Sequence, residues 1–366
     1  MIASSASAPS VREGFAELAR RFRECGFYEK KAGRVIGELA VNLALVGGGM
    51  MAFVRAEPPV VRLVAILTST YGLVGVASNS HTSSHHATSA SARLDTVLTY
   101  FGFAFVFGVS RSYWMHHHVE THHPHVNVMG VDYDADLAPW FVLNRRALES
   151  SPALARLYYR LQWLFFPVAL GFNLFGIQIS SWRFLADKLR DRSQRSLEHW
   201  IDLTVIILHW LAWVVVPLAF APLPVVLELY VPRMVLVGYG MFLVAAPAHF
   251  PAEAVYLDRT SLESVDFFWH QAAATLNIEV GWFGYLLFSG ADHQIEHHLF
   301  PGISHVHYRQ MQPEVEAFCR RYGLPYRRIG WLSGIWKSYR TLMSPKAVGV
   351  DTAPISSTSL SDVTVA

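Results

Sequence analysis

Residues 292–301 read Asp292-His293-Gln294-Ile295-Glu296-His297-His298-Leu299-Phe300-Pro301. Adjacent histidines with a polar residue three positions earlier make a poor core segment and a good metal site. Imidazole nitrogen suits iron, zinc and copper, and several converging rings are needed to hold such an ion. On a helix, His293 and His297 share a face, since i and i+4 are neighbours. His298 lies about 100° further round, where it reaches a second metal or the far side of the first.

The pattern recurs upstream. A first cluster reads His81-Thr-Ser-Ser-His85-His86, and a second runs His116-His117-His118-Val-Glu-Thr-His122-His123-Pro-His125. The shared grammar is His-x-x-x-His-His, carried by His81/His85/His86, His118/His122/His123 and His293/His297/His298. The doublets and their leading partners give nine imidazoles, or eight where Gln294 leads the third box in the overlapping reading Gln294-x-x-His297-His298, and either number exceeds the four that satisfy one tetrahedral zinc. Two metals fit the number better, and an all-nitrogen set suits redox-active iron. The chain has 18 histidines and only Cys25 and Cys319, so histidine carries any metal and no disulfide framework exists.

Between the clusters the chain is apolar. Hydrophobic residues make up 52% of the sequence and charged ones 16%, and the mean hydropathy is +0.26, as in a membrane protein. A formal charge of +2 gives no basis for nucleic-acid binding. Segments 35–54 and 60–77 are each near the length of about 20 residues that spans a bilayer. Only Arg55, Ala56, Glu57, Pro58 and Pro59 separate them, so they form a hairpin. Segments 201–221 and 225–248 form a second hairpin around the turn at Pro222. Arg20, Arg21, Arg23, Lys30, Lys31 and Arg34 precede the first span, which places the N-terminus in the cytosol. Two crossings then return the chain to that side before His81, and His249 emerges there after the fourth.

Segment 94–109 is short for a span and would separate the first two clusters if it crossed. It reads as re-entrant or interfacial, as does the broken stretch 157–179. The expected fold is therefore an all-α integral membrane protein of four transmembrane helices in two hairpins. Re-entrant or interfacial helices and a cytosolic helical cap bring the di-metal site together. Residues 1–34 are expected as a cytosolic segment with a solvated amphipathic helix, 35–345 as the membrane domain and 346–366 as a disordered tail. The histidine clusters and the C-terminus fall on the N-terminal, cytosolic side.

The three boxes, their order and their placement between two hairpins resemble the membrane fatty-acid desaturase family. The third box has Gln294 in its leading position and continues through Leu299-Phe300-Pro301-Gly302-Ile303-Ser304-His305-Val306-His307-Tyr308. This is similar to the front-end branch, above all its bacterial acyl-CoA or acyl-lipid members. Trp269-His270-Gln271 with Thr275 and Asn277, and Tyr322-Gly323-Leu324-Pro325-Tyr326, add to a likeness that covers residues 35–335.

The resemblance implies a non-haem di-iron enzyme that uses O2 and two electrons to remove two hydrogens from adjacent methylenes of a fatty-acyl chain. It carries over His81, His85, His86, His118, His122, His123, His297 and His298 as iron ligands, with His249 as the family's additional histidine. Gln294 is a weak or second-sphere ligand, His293 beside it competes for that place, and His270, in a stretch that matches the family, is a further candidate ligand or second-sphere residue. Glu120, Asp292, Glu296 and Glu253 are the carboxylates expected to orient ligating rings. His209 reads as a core histidine, and His116, His117, His125, His199, His305 and His307 as solvated surface. Trp163, Trp182, Trp200, Trp210 and Trp213 read as interfacial anchors.

Many front-end members carry a fused cytochrome b5 domain marked by His-Pro-Gly-Gly, a motif not found here. Electrons are accordingly expected from a separate ferredoxin, or from cytochrome b5 with its reductase, with membrane lipid around the enzyme. The first box departs from the His-Asp/Asn type of relatives, which leaves the substrate open. Hydroxylases and ketolases of the same superfamily are the rival within it. A histidine-rich metal transporter is the rival outside it, and would place its ligands at mid-membrane.

Overall fold

In the computed structural model, which describes residues 10–349, two long antiparallel hairpins stand side by side beneath a helical cap. The first pairs α2 (Ala32–Arg55) with α3 (Pro59–Ser84). Pro59 opens α3, where its missing N–H costs nothing and its fixed φ already suits a helix. Small residues let the two backbones approach. A Cβ on Gly49 would lie 2.6 Å from the Ala65 carbonyl, and one on Gly72 2.5 Å from that of Asn42. The outer faces expose Val41, Met51, Val54, Val60, Leu63, Val64 and Leu67, the side chains suited to lipid.

The second hairpin pairs α8 (Leu197–Leu218) with α9 (Leu223–His249). Among the described residues, these four helices are long and apolar enough to cross a membrane. Helix α3 runs past the expected end of its span near Ala77. Its extra turns carry buried Ser78, Asn79 and Ser80, with the Ser78 hydroxyl donating to the Leu287 carbonyl and the Asn79 amide to that of Val35. The polar end of the span is thus covered by protein, and His81 lies on a helix.

Two bent pairs lie between the hairpins. Helix α4 (Ala92–Val106) meets α5 (Arg111–His122) at 106°, and α6 (Ala153–Gly171) meets α7 (Asn173–Arg190) at 70°. Backbone freed at membrane depth needs partners from the protein. At the first bend, His209 Nδ1 (2.8 Å) and Trp213 Nε1 (3.0 Å) donate to the Phe105 carbonyl, and Gln178 Nε2 (2.6 Å) donates to that of Phe107. Asp202 accepts the backbone N–H groups of Arg111 and Ser112 at the start of α5. His209 is a fully buried core histidine, as expected, and Trp213 serves the bend instead of an interface.

Gly108 makes this bend. Its φ is +68°, and a Cβ there would sit 2.9 Å from the His209 ring. Gly108→Ala is expected to cost about 1–2 kcal/mol in backbone strain alone and to displace His209. A detergent-solubilised variant melting at the wild-type temperature would contradict this role.

The cap comprises α1 (Val11–Glu24), α10 (Phe267–Ala273), α11 (Gln294–Leu299), α12 (Tyr308–Arg321) and α13 (Trp331–Met343). It also holds a short parallel pair, β1 (Asn277–Glu279) and β2 (Arg328–Gly330), which an all-helical expectation omitted. Helix α1 is amphipathic, but it is docked and not solvated. Leu18, Ala19 and Phe22 are buried, and Phe15 stacks on Phe300 with ring centres 4.7 Å apart. An apolar stripe at residues 11, 15, 18 and 22 explains the docking. The chain is also ordered beyond the expected start of the tail, for Lys346 is buried and hydrogen-bonded. Residues 350–366 of that tail, and residues 1–9, lie outside the described residues.

Candidate metal centre

Helix α3 brings His81 on its last turn, and His85 follows as its C-cap. The second box lies on a π-helical turn, Met115–His122, in which the His123 N–H reaches back to the His118 carbonyl. Such i→i+5 bonding widens the turn, so residues i+4 and i+5 both lie over residue i. His118, His122 and His123 therefore crowd one face. His249 ends α9, and His297 and His298 ride on α11.

These eight rings converge in two adjoining groups. His81, His85, His118, His123 and His297 form one, and His122, His249 and His298 the other; within each, ligand atoms lie within 4.8 Å of one another. His81 Nε2 is 2.8 Å from His118 Nε2, and His123 Nε2 is 3.0 Å from His297 Nε2. His123 and His298, one from each group, have ring centres 4.4 Å apart. Contact between the first two boxes requires the bent segment between them to return to the side it left.

The donor set fits metal ions. His85 Nε2, His249 Nδ1 and His298 Nε2 are buried at the centre without a hydrogen-bond partner, a costly arrangement for polar atoms. Burial first, and neighbouring imidazoles second, hold His123, His297 and His298 well below the ordinary histidine pKa. The neutral imidazole is the form that ligates.

Ring orientation is set from behind. Asp132 takes His122 Nδ1 at 3.0 Å and Asp134 meets His118 Nδ1 at 3.2 Å. Tyr308 lies 3.0 Å from His297 Nδ1, and Gln271 Oε1 3.0 Å from His298 Nδ1. Each contact turns the other ring nitrogen inward. None of the four carboxylates named from sequence does this. Glu120 is exposed and pairs with His116, Asp292 pairs with His293, and Glu253 pairs with Lys337. Glu296 is buried but accepts from Asn277 and Tyr326, and burial raises its pKa. The acidic run Asp132-Tyr133-Asp134, shortly after the second box, was the available signal.

Four other expectations need correction. His86 is exposed at φ +53°, because α3 has already ended and the chain turns away, so it joins neither group. His293 precedes α11 and faces Asp292, while the Gln294 amide donates to the Ala291 carbonyl; both stand outside the groups. His270 also stands apart, with Nε2 2.7 Å from the Val126 carbonyl and burial holding its pKa near 4. It supports the loop after the second box. His305 and His307 are buried, not solvated. His209 has both nitrogens engaged, by Phe105 and the Tyr230 hydroxyl, which leaves no mid-membrane imidazole ligand there for transport.

A model of the fatty acid desaturase family matches residues 58–330. The chain is 27% identical over 356 residues to the delta(8)-fatty-acid desaturase 2 of Arabidopsis thaliana, covering 91% of this chain and 74% of that protein. It is 24% identical over 365 residues to the acyl-lipid (9-3)-desaturase of Borago officinalis, covering 92% and 75%. The acyl-lipid (8-3)-desaturase of Thraustochytrium is 27% identical over 287 residues, covering 74% and 60%.

Proposed function

Because this chain belongs to the fatty acid desaturase family, we propose that it places a double bond in the acyl chain of an acyl-CoA or acyl-lipid, with two iron ions, O2 and two electrons. The observation that carries the reading is the convergence of eight imidazoles in two adjoining groups. His81, His85, His118, His123 and His297 hold one ion, and His122, His249 and His298 the other. When bound, iron supplies the oxidising power that side-chain acid–base chemistry lacks against an unactivated methylene.

The chain's own residues supply position. Asp132, Asp134, Tyr308 and Gln271 hold the rings, and the helices beneath keep bulk water from the acyl chain. The relatives' names, and Gln294 in the third box, favour a front-end substrate. Electrons come from a separate ferredoxin, or cytochrome b5 with its reductase. The basic residues before α2 favour a cytosolic face for the N-terminus, the boxes and the C-terminus.

Expression in a host of known lipid profile, with fatty acids analysed by gas chromatography–mass spectrometry, tests the reading. A new double bond, with about two irons per purified chain, is expected. A hydroxylated chain would make it a hydroxylase, and a zinc-loaded, iron-free protein would overturn the chemistry.

A further inference from the structure

We propose that Glu38 and His305 form a proton path from the protein surface to a small cavity at the edge of the histidine centre, supplying protons for the reduction of O2 to water. The inference rests on the desaturase reading and adds to it. Glu38 is only 5% exposed within the apolar run of α2, and an ionisable residue so placed is a functional candidate by default.

Its two oxygens face opposite ways. Oε1 accepts from Arg34 Nε (2.7 Å) and the Tyr285 hydroxyl (3.1 Å), while Oε2 lies 2.8 Å from His305 Nε2. The other nitrogen of that ring, Nδ1, is 2.8 Å from Thr82 Oγ1, one residue from His81. His305, Thr82 and Tyr308 then line a cavity of about 10 Å³ together with His81 and His297, one ligand from each end of the first group. That is room for a single water, and polar atoms are present to hold it. At the outer end Tyr285 is 40% exposed, and its hydroxyl can relay a proton to Oε1, whereas the Arg34 guanidinium stays protonated and only fixes the carboxylate. An unbroken row of hydrogen-bonding atoms thus joins the surface to a water position beside two imidazoles of the centre.

A mere anchor between α2 and the cap would need only the Tyr285 contact, since Arg34 lies on α2 itself. It would not explain why the second carboxylate oxygen meets an imidazole whose far nitrogen continues toward the cavity. The titratable and charged groups facing the pair are Arg34 and Tyr285 outside, and His81, His297 and Tyr308 across the cavity.

The reaction's balance requires such a route. One –CH2–CH2– unit, one O2, two donor electrons and two solvent protons give –CH=CH– and two waters. Glu38 passes a proton to His305 Nε2 as Nδ1 releases its own to the Thr82 hydroxyl, which hands its proton to the cavity water. Rotation of the ring and the hydroxyl resets the path, and Glu38 regains a proton from solvent.

The test uses the full-length, iron-loaded protein with its donor and a substrate that the wild type desaturates. Glu38→Gln and His305→Gln keep hydrogen bonding but cannot relay charge. Turnover is expected to fall about 10- to 100-fold, with O2 consumed per double bond rising above one and a larger solvent deuterium effect. Iron per chain stays unchanged, and Glu38→Asp recovers part of the rate. If the Gln variants lose iron, Thr82→Val decides by the same readouts. Wild-type coupling and isotope effect in an iron-replete variant would overturn the path. A wild type that forms no double bond would overturn the desaturase reading instead.

Discussion

His298→Ala is expected to bind about one iron, against the two expected of the wild type, and to form no detectable double bond. His85→Ala is expected to keep more of its metal. The difference follows from the two groups. Removing His298 leaves only His122 and His249, too few imidazoles to hold an ion firmly, whereas removing His85 leaves His81, His118, His123 and His297. Iron counted by plasma mass spectrometry, beside fatty-acid analysis of the same preparations, reads both outcomes. Equal iron loss in the two variants would mean that the rings do not form two separable sites.

Lys346→Met is expected to act on the same ion from behind. The Lys346 ammonium is buried, which pushes its pKa well down against the opposing pull of Glu253, and among the described residues no carboxylate forms an ion pair with it. It donates to the carbonyls of His249 (2.8 Å), Pro251 (3.2 Å) and Ala254 (2.8 Å), and rests over the Tyr256 ring. Carbonyls at a helix C-terminus lack intrahelical donors and carry partial negative charge, so a cation there holds the end of α9 in place. Asn127 Nδ2 still donates to the His249 carbonyl and the Ala254 N–H to that of Pro251, so the Ala254 carbonyl is the one left without a donor, at a cost of about 1–3 kcal/mol. The variant should melt lower and lose iron from the His122, His249 and His298 group while keeping the other ion. A lower melting point with both irons retained would confine Lys346 to stabilising the fold.

The spans were legible because lipid imposes a simple rule, long apolar runs ended by charge or proline. The rule failed at the inner end of α3, where buried polar residues from Ser78 to Ser80 continue the helix beneath the cap. The converging histidines of the boxes were legible because they recur in one repeated spacing. Spacing misled at His86, since it presumes a helix that stops at Ser84, and at His293, which precedes α11 instead of joining it.

The orienting groups were the least legible. Acids adjacent to the boxes, such as Glu120 and Asp292, point outward. Asp132 reaches its ring through the turn after the second box, and Gln271 and Tyr308 reach theirs from α10 and α12, placements that only the folded chain reveals. Burial of Glu38, His305 and Lys346 was hidden for the same reason, because partners far along the chain make it tolerable.

The converging histidines are spread along the chain from His81 to His298, which bears on when the two groups can be complete. A polypeptide leaving the ribosome can insert its first hairpin and display two boxes while the last pair of imidazoles is still untranslated. Metal arriving then meets incomplete sites, and Lys346 does not emerge until still later. On the two-ion reading, complete loading therefore waits until His298 has been translated, and a chain terminated just before His297 would keep four imidazoles of the first group but only His122 and His249 of the second.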